Sequence, residues 1–207
     1  MGALAAKPDR DALFRLGYLL QFPSDRKRRD KTRALQLWKR SAALGHVRAQ
    51  YYVGTCYDFG IGTRRNFAAA MRYYARAARR GHAVAQYNLA RGYLAGEGVR
   101  KNLGQGIRWL RCAAHAGDAA AARDLGYHLH EGIGVRRNYS QAVTWYYRAA
   151  VAGDNKAQWN LALCYINGDG VYADRRRAIS WFKRAAAQGH RASKAKIRQL
   201  VTQRPKR

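Results

Sequence analysis

Apolar and small residues recur along the chain at helical spacing. Ala157, Leu161, Ala162 and Tyr165 stand at positions i, i+4, i+5 and i+8, which is one face of an α-helix. After a Gly-x-Gly loop a second stripe follows, formed by Ala178, Trp181, Ala185 and Ala186. The pattern predicts two helices, called helix A and helix B, joined by a tight turn in which the glycines supply positive φ.

The same pattern repeats every 36 residues. Each unit ends at a glycine, and these glycines are Gly45, Gly81, Gly117, Gly153 and Gly189. Pairs of loop glycines recur at Gly60/Gly62, Gly96/Gly98, Gly132/Gly134 and Gly168/Gly170. Residues suited to capping helix B follow the loops at Asn66, Asn102, Asn138 and Asp174. A period of this length predicts an array of helical repeats in which each repeat packs on its neighbours.

The period divides the chain into segments. We predict an N-terminal extension over residues 1–10, five repeats at about 11–46, 47–82, 83–118, 119–154 and 155–190, a C-terminal capping helix over 191–202 and a basic tail over 203–207. Ala192, Ala195 and Leu200 are expected to face inward on the capping helix. The first repeat has a longer loop without Gly-x-Gly, as terminal repeats are often atypical.

The repeat pattern is complete in the third unit. It reads Ala85, Leu89-Ala90, Tyr93, Gly96-Glu97-Gly98-Val99, Asn102, Trp109, Ala113-Ala114 and Gly117. This pattern resembles the Sel-one-like repeat family, relatives of the tetratricopeptide repeats with a longer Gly-x-Gly loop, over residues 11–202. The resemblance implies an all-α fold, a right-handed α-solenoid of helix–turn–helix repeats like the tetratricopeptide superhelix. It also implies an adaptor for protein–protein assembly and not an enzyme.

The charge of the chain indicates an anionic partner. Forty Lys and Arg residues against twelve Asp and Glu give a net charge of +28, which favours nucleic acid, an acidic protein surface or an anionic membrane. Basic residues cluster before helix B, where a phosphate or an acidic partner is expected to bind. They are Arg26, Lys27, Arg28, Arg29, Arg64, Arg65, Arg100, Lys101, Arg136, Arg137, Arg175, Arg176 and Arg177. The alternative is that these loop positions are simply solvated and rich in arginine.

A second candidate surface follows from the tetratricopeptide analogy, in which helix A lines the concave side. The expected groove residues are Phe14, Tyr51, Tyr87, Arg91, Arg123, Tyr127 and Trp159. Such a row of rings suits an extended peptide, or the bases of single-stranded RNA. The alternative is that the rings pack between adjacent helices as ordinary core.

The sequence offers no catalytic constellation, and we expect no metal, cofactor or small-molecule substrate. His46, His82 and His190 recur at one position of the repeat, which indicates a structural role. Three sparse cysteines favour a reducing intracellular compartment, either the cytoplasm or an organelle matrix such as the mitochondrial one. No secretory signal and no membrane-spanning stretch is recognised.

Charge and repeat pattern together give two functional hypotheses. The first is a non-enzymatic scaffold in an RNA-containing assembly, such as a ribonucleoprotein or a ribosome-like particle. It would dock through a basic edge and through protein–protein contacts. The alternative is a peptide-binding adaptor in signalling or envelope assembly that acts without RNA.

Overall fold

A computed structural model describes residues 9–202, and within them all regular structure is helical. Residues 1–8 of the predicted N-terminal extension and the predicted tail 203–207 lie outside this range. The α-helices are α1 (Arg10–Gln21), α2 (Lys31–Ala43), α3 (Val47–Phe59), α4 (Phe67–Arg79), α5 (Ala83–Ala95), α6 (Leu103–His115), α7 (Ala119–Glu131), α8 (Tyr139–Val151), α9 (Asn155–Asn167), α10 (Arg175–Ala187) and α11 (Arg191–Thr202). A 3-10 helix, Arg26–Arg28, lies in the loop of the first repeat.

The chain forms two compact units, Met1–Asn102 and Leu103–Arg207. Unit 1 contains α1 to α5 and unit 2 contains α6 to α11. Within each unit every helix packs mainly on the helices that precede and follow it in the chain. Odd-numbered helices α1 to α9 are the predicted A helices, and even-numbered helices α2 to α10 are the predicted B helices.

The turns follow the predicted glycine chemistry. Gly60 ends α3 at φ +69°, and Gly62 lies in the same loop at φ +68°. A Cβ on Gly62 would stand 2.4 Å from the carbonyl oxygen of Lys31, so only glycine fits there. At the start of the next helix, the Asn66 side chain accepts a hydrogen bond from the Ala69 backbone N–H at 2.9 Å. Asn138 and Asp174 cap α8 and α10 in the same way.

Helix A and helix B approach closely where helix A carries a small residue. A Cβ on Gly126 would lie 2.7 Å from the ring of Tyr146, which is itself 3% exposed. The same geometry holds for Gly17 against Trp38 and for Gly54 against Tyr74. In the fifth repeat, Ala162 and Phe182 are fully buried in one cluster at these register positions. The small residue of helix A is therefore matched to the helix-B side chain that faces it, with glycine opposite Trp38, Tyr74 and Tyr146 and alanine opposite Phe182.

The capping helix α11 covers the end of unit 2. Leu200 is buried against the cluster that contains Phe182, and Ile197 packs on it. The inward stripe runs through 193, 197 and 200, because Ser193 is also buried. The prediction was correct for Leu200 and wrong for Ala192 and Ala195, which are exposed. Those two alanines lie off the i, i+4, i+7 stripe that meets the cluster.

Candidate functional site

The A helices of unit 2 form an open niche that contains three of the predicted groove residues. Arg123, Tyr127 and Trp159 line a cavity of about 340 Å³ together with Asp124, Lys156, Asn160 and His190. Tyr127 is 48% exposed. The niche thus combines ring surface, an amide and a cation on one open face, which suits the binding of a peptide segment.

Unit 1 carries a niche at the same register positions. Phe14, Arg15, Tyr18 and Arg48 occupy the positions of Arg123, Asp124, Tyr127 and Lys156 in unit 2, and with Leu19 they line a cavity of about 380 Å³. The Arg48 guanidinium lies 5.1 Å from the centroid of the Phe14 ring. We call these two cavities the helix-A niches.

The floor position of each niche also joins consecutive repeats. The Phe14 ring stacks on His46 with centroids 4.4 Å apart, and the Trp159 ring lies 5.1 Å from that of His190. In the fourth repeat the same contact is ionic, because an Arg123 guanidinium nitrogen lies 2.8 Å from a carboxylate oxygen of Asp154. The sequence-based alternatives of groove and core therefore both apply to this position: one edge of the side chain packs and the other lines the niche.

Tyr51 and Tyr87 occupy the same repeat position in the second and third repeats. Tyr51 makes the same contact between repeats, since its ring stacks on His82 with centroids 4.6 Å apart, and it is half-buried. Arg91 is exposed and lies over the Tyr87 ring at 6.0 Å. Arg91 lines a separate, smaller cavity that also contains Asp58 and Glu97.

The basic loop residues divide into two groups. In the second and fourth repeats, the second residue of the pair bonds to the C-terminal end of helix A. Arg65 Nε donates to the carbonyl oxygen of Asp58 at 2.7 Å, and its guanidinium lies 4.1 Å from the centre of the Phe67 ring. Arg137 donates to the carbonyl of Glu131 in the same manner. These arginines donate hydrogen bonds to carbonyl groups at the C-terminus of a helix. Their positive charge also interacts favourably with the negative end of the helix dipole.

The first residue of each pair stays in solvent. Arg64, Arg100 and Arg136 are exposed, and none forms an ion pair or a hydrogen bond with another described side chain. Lys101 is exposed as well. In the first repeat, Arg26, Lys27 and Arg28 form the 3-10 helix, while Arg29 Nε donates to the Gln21 carbonyl. In the fifth repeat Arg175, Arg176 and Arg177 begin α10, and Arg177 pairs with Asp174 at 3.3 Å.

Most of the acidic residues form helix caps, hydrogen bonds or ion pairs within the fold. Six of the twelve are N-caps whose carboxylates accept backbone N–H bonds, namely Asp9, Asp25, Asp30, Asp118, Asp154 and Asp174. Five more bond or pair with a side chain, namely Asp11, Asp58, Asp124, Glu131 and Asp169. Most of the forty cations consequently have no acidic partner in the described part of the chain.

Histidine takes the cap role in the second and third repeats. The Nδ1 atoms of His46 and His82 accept from the backbone N–H groups of Ala49 and Ala85 at 3.0 and 3.2 Å. Burial lowers the pKa of both histidines, although Asp11 partly opposes this for His46. The sequence could have indicated this capping role, because the common N-cap residues Asp118 and Asp154 occupy the same position of later repeats.

Two of the three cysteines are buried, and Cys112 is exposed. Burial raises the pKa of the Cys56 and Cys164 thiols to about 12, so both remain protonated and fill the core. Within residues 9–202, no group of His, Cys, Asp and Glu has the arrangement of a metal site. None of the described helices is long and apolar enough to cross a bilayer.

Paired helices, glycine turns and open niches on the A helices define a helical-repeat protein of the tetratricopeptide-like solenoid class. The family model described as Sel1 repeat matches the chain five times, at residues 10–46, 47–82, 83–118, 119–154 and 155–190. The chain therefore belongs to the Sel1 repeat family, whose repeats mediate protein–protein interaction. No curated protein was found to match it.

Solved structures agree with this assignment. The chain is 28% identical to a protective antigen of uropathogenic Escherichia coli strains that displays an SLR fold, with a TM-score of 0.87 over 91% of the chain. It spans only 40% of that antigen. A Sel1 repeat protein from Oxalobacter formigenes is 32% identical, with a TM-score of 0.79 over 86% of this chain and 73% of its own. An immunity protein from Pseudomonas aeruginosa, 21% identical over 90% of this chain and 68% of its own, shares the fold with a TM-score of 0.54.

Proposed function

We propose that this protein is a non-enzymatic scaffold that holds acidic peptide segments of a partner protein in its helix-A niches. The observation that carries the proposal is the recurrence of one niche at matching register positions in both units. Each niche has ring surface from the A helix and a cation, Arg48 or Lys156, from the following A helix. Rings give contact area at low entropic cost, and the cation selects a carboxylate.

The charge distribution supports an acidic partner. Because the chain uses its own carboxylates for caps and ion pairs, few remain to neutralise cations such as exposed Lys156. An acidic segment would supply that neutralisation and would be steered to the surface by the net charge. Protein assembly is also the role of the family to which the chain belongs.

The test removes one niche and leaves the rest of the surface intact. Tyr127→Ala with Lys156→Gln is compared with Tyr172→Ala with Lys194→Gln, which deletes the same side-chain types at exposed positions outside the niche. The probe is a fluorescein-labelled peptide of repeated Glu-Glu-Phe, followed by anisotropy. Because the unit 1 niche remains, we expect the niche variant alone to bind one peptide fewer per chain in a stoichiometric titration. An equal number of bound peptides in the two variants would contradict the proposal.

RNA binding is the second candidate, favoured by the unpaired loop arginines. Arg64, Arg100 and Arg136 are exposed and suited to bidentate phosphate contacts. Replacing all three by Glu should weaken the binding of a labelled oligouridylate and flatten its dependence on salt. Unchanged binding in the triple variant would remove this candidate, as would a complex purified from cells that ribonuclease leaves intact.

A further inference from the structure

Neither the repeat fold nor the helix-A niches account for an arginine cluster on α4. Arg72, Arg76 and Arg79 stand at positions i, i+4 and i+7 and are all exposed. They line a cavity of about 430 Å³ in unit 1. At 1.5 Å of rise per residue, the three positions span about 10 Å along the helix. The remaining lining is apolar or small: Ala68, Met71, Ala75, Leu89, Tyr93, Gly98 and Val99.

No acidic residue is among those that line this cavity in the described chain. Arg72 and Arg79 form no ion pair or hydrogen bond with another described side chain. Glu97 lies next to Gly98 in sequence but lines the smaller cavity with Asp58. Three cations around an apolar floor repel one another, and an anionic partner relieves that repulsion.

The repeats show which of these arginines the fold itself uses. The register position of Arg76 recurs as Arg40, Arg148 and Arg184. In the fourth and fifth repeats the guanidinium covers a helix-B ring: Arg148 lies 4.7 Å from the Trp145 centroid and Arg184 lies 4.5 Å from that of Trp181. Arg76 likewise lies 5.3 Å from the Tyr73 centroid. Arg76 therefore has an architectural role that the other two lack.

Arg72 and Arg79 are not required by the repeat. The position of Arg72 is Gln36, Arg108, Thr144 and Ser180 in the other repeats, and that of Arg79 is Ala43, His115, Val151 and Ala187. Among the described B helices, only α4 carries arginine at both positions. Four other repeats of this chain fold without the pair, so the repeat architecture does not require it on α4.

We propose that the α4 cavity is a second binding site for an acidic segment of a partner protein, distinct from the helix-A niches. An apolar side chain of the segment enters the floor beside Met71 and Leu89, and flanking carboxylates pair with Arg72 and Arg79. The floor excludes a simple phosphate-contact surface, because phosphate binding gains nothing from buried aliphatic groups. A single ring, Tyr93, also gives little of the stacking platform that single-stranded nucleic acid uses. The inference rests on the proposed function only in taking the partner to be a protein.

Met71 supplies a readout at this cavity. Because Met71 also lines the smaller cavity with Asp58 and Glu97, a shift is assigned to the α4 cavity only where the Arg72→Gln/Arg79→Ala variant weakens it. The chain has two methionines, Met1 and Met71, and Met71 lies in the floor. With 13C-methyl methionine in the full chain, the Met71 signal reports peptide binding beside Met71, and Met1 serves as the reference. The probe is a twelve-residue peptide of glutamates with one central leucine. We expect a saturable shift of the Met71 signal, at least tenfold weaker when serine replaces the leucine.

The variant takes its residues from another repeat of the same chain. Arg72→Gln with Arg79→Ala reproduces Gln36 and Ala43 of α2, so the fold should be retained, as checked by an unchanged thermal midpoint. We expect at least tenfold weaker peptide binding at Met71. The matched control, Lys194→Gln with Arg198→Ala in unit 2, removes the same charge and should change affinity less than twofold.

Three results would overturn the proposal. One is equal weakening in both variants, which would assign the effect to net charge. Another is a Met71 signal that the peptide does not move. The third is a Met71 shift produced as strongly by oligouridylate or inorganic phosphate. The Tyr127→Ala/Lys156→Gln variant should leave the Met71 titration unchanged, so a failure of the niche proposal is distinguishable from a failure here.

Discussion

The histidine caps of unit 1 make its stability dependent on pH. His46 and His82 accept a backbone hydrogen bond through Nδ1, which requires the neutral ring. Protonation turns the acceptor into a donor and places a positive charge at the positive end of a helix dipole. Losing a cap costs about 1 kcal/mol, and the unfavourable charge adds about 0.3–1 kcal/mol at each helix. The two sites together should cost unit 1 about 3–4 kcal/mol of unfolding free energy on full protonation.

The pH range follows from the direction of the pKa shifts. Burial lowers the pKa of both histidines below the unfolded value of about 6.5. Between the two values the unfolded chain binds more protons than the folded chain, so stability falls as pH falls. The contribution of the neutral rings is complete above about pH 6.5 and is lost progressively below it, down through the folded pKa.

Urea unfolding followed by far-UV circular dichroism at pH 7.5 and pH 5.0 measures the effect. The variant His46→Asp/His82→Asp uses the caps of later repeats, where Asp118 accepts from the Ala121 backbone N–H at 2.8 Å. Because aspartate stays charged until about pH 4, the variant should lose much less stability between the two pH values. His115→Asn, at an exposed site, should behave like the parent protein. If the double aspartate variant loses as much as the parent, the cap explanation is wrong.

Two further substitutions probe the architecture. Gly126→Ala should lower the unfolding free energy by about 1–2 kcal/mol, since overpacking against the Tyr146 ring outweighs the gain in helix propensity. Urea unfolding measures it, and Gly126→Ala/Tyr146→Leu, which copies buried Ala90 and Leu110 of the third repeat, should recover part of the loss. Arg65→Ala should lower the unfolding free energy by about 1 kcal/mol, because a hydrogen bond and a ring contact are lost. Arg64→Ala makes the same change of charge and should leave thermal stability unchanged. Equal effects of the two substitutions would refute the division of the basic pairs.

Periodic features were predictable from the sequence because each depends on local backbone chemistry. Gly60 adopts positive φ, and Asn66 accepts a hydrogen bond from a backbone N–H. Glycine and asparagine are the residue types that suit these two roles, so both features could be predicted from the sequence. Side-chain direction was not predictable. The sequence alone does not distinguish solvent-exposed Arg64 from Arg65, which bonds to the end of a helix, because the difference depends on the geometry of the turn around them. The double role of Phe14, half core and half niche, likewise depends on the position of the following helix.

The match between helix-A and helix-B residues restricts how such a protein can change during evolution or design. Tyr146 tolerates only glycine opposite it, whereas Phe182 accompanies Ala162. A crossover between two repeats inside the Gly-x-Gly loop would join the helix A of one to the helix B of another. One product would place alanine against tyrosine and be strained, and its reciprocal would leave a void beside glycine. Crossovers between complete hairpins keep each pair together, so the hairpin is the smallest segment that can be duplicated, deleted or exchanged without repair elsewhere.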